Sequence, residues 1–392
     1  MPGPTWVLFA GTFVNRLGTF VWPFMTLYLT RRGYSAPQAG LALAMYGLGG
    51  IGSQILGGLL TDRIGRRNAI AFSMLTASAL TLVLWQATSL AVIYPVMALL
   101  ATAAEMHRPA ASALIADLVP SDRRVTAYAL FRLSINVGWA CGLALGGILA
   151  DRSFDYLFAG DAATSATFGI ISLVALPHGV RASRRQERHL SGATRTIIAD
   201  RGFVLFLGSV LVASAIYMQN VSTFPLHIRD AGYSSAVYGG LQALNGVFVV
   251  LLELPVTSWT QRRPRLAMIA LGGLLTGLAF ASLLLARSAA ALVLMVFVWT
   301  LGEMVSSPVM NAFVADRSPE HARGRYQATL GIMFAFGAII GPSGGTAIYA
   351  ANTDALWIVC GVAGLASALL ALRARRYPAL VPVTVDGAGH SV

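Results

Sequence analysis

The chain has 392 residues, 56% of them hydrophobic and only 11% charged, with a mean hydropathy of +0.68. A soluble domain carries about 25% charged residues, so a soluble globular enzyme is excluded and an integral membrane protein is indicated. The formal net charge of +12 comes from 28 basic residues that are all arginine and lie mostly in short loops between apolar runs, which argues against a nucleic-acid surface.

A helix that crosses a bilayer needs roughly 20 apolar residues. Twelve such runs are predicted, at 5–29, 37–60, 69–88, 90–116, 126–150, 156–177, 203–228, 236–259, 266–286, 289–315, 326–350 and 354–373, numbered spans 1 to 12. The first is too long for a cleaved leader, has no cleavage site and is followed by further spans, so it is expected to remain as span 1. Asp155 and Asp161 crowd the start of span 6. With both termini inside the cell, 20 of the 28 arginines fall in cytoplasmic segments. Five fall in outer loops (Arg31, Arg32, Arg152, Arg229, Arg287) and three within spans. Positive residues concentrate on the cytoplasmic side of a membrane protein, so this topology is expected, in an inner cell membrane.

An internal repeat runs at about 199 residues. Gly33-Tyr34-Ser35 returns as Gly232-Tyr233-Ser234, and Gly146-Gly147 as Gly344-Gly345. Glu105-Met106, Pro109, Ala116-Asp117 and Pro120 return as Glu303-Met304, Pro308, Ala315-Asp316 and Pro319. Two six-helix halves are a transporter architecture, with the substrate site between them near the midplane. The expected organisation is an N-terminal half at 1–177, a basic cytoplasmic linker at 178–201, a C-terminal half at 202–376 and a disordered cytoplasmic tail at 377–392.

The loop after span 2 reads Gly57-Gly58-Leu59-Leu60-Thr61-Asp62-Arg63-Ile64-Gly65-Arg66-Arg67-Asn68. A connection this short forces its flanking spans into an antiparallel pair. Gly58, Asp62, Arg63, Gly65, Arg66 and Arg67 fall where the signature loop of the major facilitator superfamily has them, and the chain resembles that family from about residue 5 to 375. The resemblance implies an all-α membrane protein with twelve transmembrane helices in two pseudo-symmetric bundles. It also implies a cytoplasmic latch that closes in the outward-open state, with Asp62 facing the start of span 11. Asp117 and Asp316 end spans 4 and 10, and Asp117 is expected to pair with Arg66 or Arg67. In the second half the loop reads Thr260-Gln261-Arg262-Arg263-Pro264-Arg265, so Gln261 replaces the acid and any latch there is weaker. Gly138, Gly142, Gly146 and Gly147 in span 5 are similar to the family's antiporter glycine motif, which has proline where Leu143 stands; helix packing by small residues is the other reading. Leu301-Gly302-Glu303-Met304 with Pro308 resembles the drug–proton antiporter branch that contains LmrP and MdtH.

Charges within spans are costly, about 2.5–3.5 kcal/mol or more at the centre. Glu105 and Glu303 lie at matching depths in spans 4 and 10, 12 and 13 residues from Asp117 and Asp316. Either is a candidate proton-coupling site, because loss of water disfavours a charged carboxylate; the alternative is pairing with a buried arginine, and Arg108 is one turn from Glu105. Arg16, beside Asn15, either binds an anionic group or serves as a counter-ion. Arg132 and Asn136 share a face of span 5, and Glu253 sits in span 8 near Pro255; gating or helix contact is the first reading of these three, and with Asn15, Arg16 and Arg108 they are also candidates for the substrate cavity. His107 is expected to pack rather than relay protons. Trp22, Tyr217, Met218 and Trp299 are among side chains able to form an adaptable apolar binding surface.

The expected function is proton-driven export of small amphipathic compounds by alternating access. The alternatives are an uptake symporter for a polar metabolite, a lipid flippase, or a transporter-like sensor. The expected partners are a small-molecule substrate, protons and the lipid bilayer, with no nucleic acid, and the family implies a monomer. No nucleotide-binding G-x-x-x-x-G-K-[ST] motif is present, and no catalytic constellation, cofactor or metal site is expected. Cys141 and Cys360 lie inside apolar runs and suggest no disulfide framework.

Overall fold

The computed structural model describes residues 1–178, 197–286, 288–319 and 323–377. The expected linker lies outside these residues except for His178 and 197–201, and the expected tail except for Tyr377. Every described element is helical. Span 2 is Ala36–Ile64, span 3 Arg66–Gln86, span 5 Arg124–Arg152 and span 6 Asp155–Ala175. Span 8 is Ser235–Thr260, span 9 Arg265–Ala281, span 10 Ala289–Arg317, span 11 Arg323–Ala351 and span 12 Thr353–Ala374.

Spans 1, 4 and 7 are broken where the sequence reading expects continuous helices. Span 1 is Gly3–Leu17 followed by Val21–Arg31, span 4 is Leu90–Glu105 followed by His107–Leu118, and span 7 is Arg201–Tyr217, Gln219–Ser222 and Phe224–Asp230. Eleven helices among the described residues are long and apolar enough to cross a membrane; span 1 is the one left out, because residues 18–20 separate its pieces of 15 and 11 residues, whereas single residues interrupt spans 4 and 7. A proline follows a break in each case: Pro23, Pro109 and Pro225 sit in the first turn of the restarting helix. Proline has no N–H and its ring clashes with the carbonyl four residues back, but it suits a first turn. A freed carbonyl in the apolar layer must find another donor. That of Val221 accepts from Thr26 Oγ1 at 3.3 Å.

The packing repeats with the sequence. Span 1 lies against spans 5 and 6, span 3 against span 6, and span 4 against spans 2 and 3. Span 7 lies against spans 11 and 12, span 9 against span 12, and span 10 against spans 8 and 9. Each contact of the first half thus returns in the second with the span number raised by six. Spans 2 and 11, and spans 5 and 8, join the halves. Backbones meet closely in the second pair. A Cβ on Gly239 would lie 2.3 Å from the Leu143 carbonyl oxygen, and one on Gly147 2.6 Å from that of Ser235.

Both close approaches lie toward the end away from the arginine-rich loops, and polar bonds tie the halves there. Tyr238 donates its O–H to the Pro23 carbonyl at 3.2 Å, and Arg229 Nη1 donates to Thr30 Oγ1 at 2.7 Å. Asp151, near the end of span 5, accepts from the Ser235 and Ala236 amides at 2.7 and 3.0 Å. Its charge therefore sits at the N-terminus of span 8, where the helix dipole favours it.

Gly239→Leu is expected to lower stability by about 1–3 kcal/mol through overpacking. Gly240→Leu adds a side chain where a Cβ meets open space, and should change stability by no more than about 0.5 kcal/mol. Thermal unfolding of the two variants in detergent checks the difference.

Candidate functional site

A cavity of about 780 Å³ lies between the halves. The first half contributes Trp22 from beyond the span 1 joint, Tyr46 and Gln54 from span 2, Glu105 and Arg108 from span 4, and Trp139 from span 5. The second half contributes Tyr217, Met218 and Asn220 from the broken part of span 7, Gln242 and Asn245 from span 8, Trp299 from span 10 and Gln327 from span 11. A Cβ on Gly50 or Gly331 would meet open space, whereas one on Gly47 would lie 2.8 Å from the Ala338 carbonyl. Spans 2 and 11 therefore touch toward the closed end and part toward the arginine-rich loops. The cavity opens on that side.

Aromatic rings form much of its wall. Trp22 stacks on Tyr46 with centroids 5.3 Å apart and meets Trp139 at 5.7 Å. Across the cavity Tyr217 meets Trp299 edge-on at 5.8 Å. Amides form its polar part: Gln242 donates to the Asn220 carbonyl at 3.0 Å, and Asn245 to Thr300 Oγ1 at 3.0 Å. Rings of this kind give apolar area with few degrees of freedom, and the amides can both donate and accept.

The two candidate carboxylates sit in different surroundings. Glu105 bonds to Arg108, one turn along its own span, and its Oε1 lies 3.5 Å from Arg16 Nη2. Arg16 is 6% exposed, and its Nε has no hydrogen-bond partner. Glu303 is half-buried and accepts from Asn245 Nδ2 at 3.2 Å, with no ion pair among the described residues. The repeat explains the difference: one period of about 199 residues carries Arg16 onto Ala215 and Arg108 onto Ser307. Glu303 itself is outside the cavity lining; Asn245, which it bonds, and Trp299, one turn before it on span 10, line the cavity.

Of the residues expected in the substrate cavity, Arg16 and Arg108 line it and the others do not. Asn15 faces span 6 and donates to Ser165 Oγ at 3.2 Å. Arg132 pairs with Glu253, joining spans 5 and 8 on the arginine-rich side. Asn136 lies on span 5 between the lining residues Ile135 and Trp139, outside the lining itself. Gly138, Gly142 and Gly146 face span 1, where Cβ atoms would lie 2.8 Å from the Phe13 carbonyl, 2.6 Å from the Leu17 carbonyl and 3.0 Å from the Phe20 ring; Gly147 faces span 8. His107 is buried, with Nδ1 2.7 Å from the Ala104 carbonyl. Tyr46, Trp139, Gln242, Asn245 and Gln327 escape the sequence reading, because a single aromatic or amide in an apolar run carries no signal for which way it faces.

At the arginine-rich end Arg66 Nε lies 2.9 Å from Asp117 Oδ2, and Arg265 pairs with Asp316 one repeat later. Gly65 holds φ at 83°, a left-handed backbone that only glycine adopts freely. Arg67 bonds to His178. Gly58 has open space around it, while Asp62 and Arg63 are exposed. Asp62 makes no bond among the described residues, and spans 2 and 11 part at this end. A stronger pair escapes the sequence reading: Arg317 holds Asp200 through two nitrogens, at 2.6 and 2.9 Å, and Asp200 caps span 7 by accepting from the Phe203 amide at 3.0 Å.

A family model described as Major Facilitator Superfamily matches residues 8–303 and 205–390. The MdtH multidrug resistance protein of Cronobacter sakazakii (strain ATCC BAA-894) is 25% identical over 365 residues, covering 90% of each chain. A Na(+), Li(+), K(+)/H(+) antiporter of Planococcus maritimus is 22% identical over 363 residues, covering 84% of this chain and 85% of that one. Among solved structures, the peptide transporter POT superposes with a TM-score of 0.79 at 19% identity, covering 96% of this chain and 94% of that chain. The nucleoside transporter NupG superposes with a TM-score of 0.79 at 15% identity, covering 95% and 99%.

The side chains of Arg317 and Asp200 are 7% and 1% exposed, those of Arg265 and Asp316 41% and 62%. Removing one partner of a buried pair costs about 3–5 kcal/mol, the expected effect of Asp200→Ala. Asp316→Ala, in the exposed pair, should cost no more than about 1 kcal/mol. Thermal unfolding of each variant with and without added salt distinguishes them, since only the exposed pair is screened.

Proposed function

The chain belongs to the major facilitator superfamily, and from that premise we propose that it exports small amphipathic compounds in exchange for protons by alternating access. It is a multi-pass membrane transporter and not an enzyme. The observation that carries the reading is the aromatic-lined cavity between the halves, with an acid, Glu303, that lies just outside the lining, bonded to the lining residue Asn245, and has no cation partner among the described residues. An isolated carboxylate in a low-dielectric setting avoids the cost of its charge by holding a proton. Glu303 is the proposed proton carrier. Glu105, fixed between Arg16 and Arg108, shapes the polar wall and carries a proton only if that pairing opens.

In this reading the arginine-rich loops face the cytoplasm, both termini lie inside the inner cell membrane, and the structure is inward-open. The halves, 1–177 and 202–376, rock about the cavity in a single copy of the chain. The loop of Gly58, Asp62, Arg63, Gly65, Arg66 and Arg67, with Asp117 and Asp316, closes the inner side in the opposite state. Arg132 and Glu253 gate from spans 5 and 8, while Asn15 and Asn136 support spans 1 and 5 beside the cavity. The glycines at 138, 142, 146 and 147 let the close packing of the outer side form. A substrate that takes the amides around Asn245 competes with the protonated form of Glu303, and proton release inside biases the exchange of states. Relatives named as multidrug resistance proteins and a cation/proton antiporter support this choice of class.

Purified protein in proteoliposomes with an imposed pH gradient tests it. Internal pH is followed on adding ethidium, a neutral drug, a dipeptide or a nucleoside. Ethidium or the neutral drug is expected to drive proton movement in the wild type, and Glu303→Gln to abolish it. Movement with the dipeptide or nucleoside alone overturns export of amphipaths, and normal coupling in Glu303→Gln removes that residue from the proton path.

A further inference from the structure

The joint in span 1 rests on a carboxylate that coupling at Glu303 does not use. Asp161 lies in span 6, and its Oδ2 accepts from the Val21 amide at 3.1 Å. Val21 is the first residue of the helix that restarts after the break, so the carboxylate stands at a helix N-terminus, where negative charge is favoured. The two spans come close here, since a Cβ on Gly18 would lie 1.8 Å from Thr164 Oγ1. Asp161 is half-buried and forms no ion pair among the described residues.

Beside it is a small pocket of about 30 Å³ lined by Asp161, Asn15, Thr19 and Ser165, among others. Roughly 10–15 Å³ of such space holds a water molecule where polar groups surround it. Arg16, Thr19, Trp22, Tyr46 and Glu105 line both this pocket and the main cavity, so the small pocket continues the large one toward Asp161. The charged and titratable groups that share it with Asp161 are Arg16 from span 1, Tyr46 from span 2 and Glu105 from span 4; span 3 contributes only Ala77.

We propose that Asp161 is a second proton-binding site, reached from the main cavity through this water-sized pocket, and that its protonation state sets the joint in span 1. Only a proton moves: it comes from the solvent of the open cavity, is relayed by a pocket water that ends unchanged, binds Oδ1 and leaves by the same route. Ionised, the carboxylate holds the Val21 amide and the positive end of the restarting helix. Protonated, it loses the charge–dipole attraction, and Arg16 keeps Glu105 as its anionic neighbour. The restarting helix carries Trp22 into the cavity wall, and it carries Pro23 and Thr26, which bond to Tyr238 and Val221 at the closed end. One proton therefore acts on the cavity and on the closed end together.

The inference rests on proton-coupled transport, but its test separates the two sites. Infrared difference spectra of the full chain in lipid, between mildly acidic and mildly alkaline buffer, report the carbonyl stretch of protonated carboxyls. The wild type is expected to give two titrating bands, of which Asp161→Asn removes one and Glu303→Gln the other. Isotope-labelled aspartate should shift the Asp161 band without any substitution, so a folding defect in Asp161→Asn does not decide the outcome. A wild-type spectrum with no aspartate-shifted band overturns the site at Asp161 and leaves Glu303 standing; a missing Glu303 band does the reverse. Hydrogen exchange across residues 18–24, corrected for its intrinsic pH dependence, should speed up at least tenfold in acid in the wild type. Exchange that does not change with pH overturns the link between Asp161 and the joint.

Discussion

A charge or an open backbone carbonyl inside a bilayer has no water to turn to, and the arrangement of this protein follows from how each one is satisfied. Glu105 is held between Arg16 and Arg108, and Glu253 by Arg132. The carbonyl that Pro225 leaves open at Val221 takes the Thr26 hydroxyl of the other half. Each of these groups has its partner within the fold. Among the described residues Glu303 is settled by an amide, and Asp161 by a backbone N–H beside polar side chains. Taking up a proton would break no ion pair of either acid among those residues.

The breaks put function where the chain bends. Pro23, Pro109 and Pro225 interrupt spans 1, 4 and 7, and Trp22, Glu105, Arg108, Tyr217, Met218 and Asn220 all lie close to those interruptions and line the cavity. A regular helix presents one stripe to its neighbours. A broken one turns side chains and carbonyls on both sides of the joint toward the same space. A proline that costs a helix hydrogen bond leaves a carbonyl open, and at Val221, which lines the cavity, a hydroxyl of the other half restores the bond.

The two halves share a scaffold but not a chemistry. Their helix contacts correspond span by span, while the arginines of the first half meet Ala215 and Ser307 in the second, and Asp161 meets Cys360. The ion pair Arg66–Asp117 does return as Arg265–Asp316, because those groups end helices at an interface that both halves need. The cavity consequently has a charged wall on one side and an amide wall on the other, with Glu303 bonded behind Asn245.

Much of this was written in the sequence. The apolar runs fixed the spans, since length and hydropathy are local properties. The repeat of about 199 residues marks two six-helix halves, and the loop after span 2 narrows the partner of Asp117 to Arg66 or Arg67, of which the fold brings up Arg66. The sequence alone also separated Glu105, one turn from an arginine, from Glu303, which has none. Only the tertiary structure decided which way each side chain faced. It turned Asn15 onto Ser165 and Arg132 onto Glu253, brought Tyr46 and Trp139 to Trp22, and set Asp161 against the joint of span 1. In a helix that is apolar nearly all round, no hydrophobic stripe marks the buried side. Facing is then set by contacts between different spans, most of them more than a hundred positions apart, and these exist only once the spans have packed.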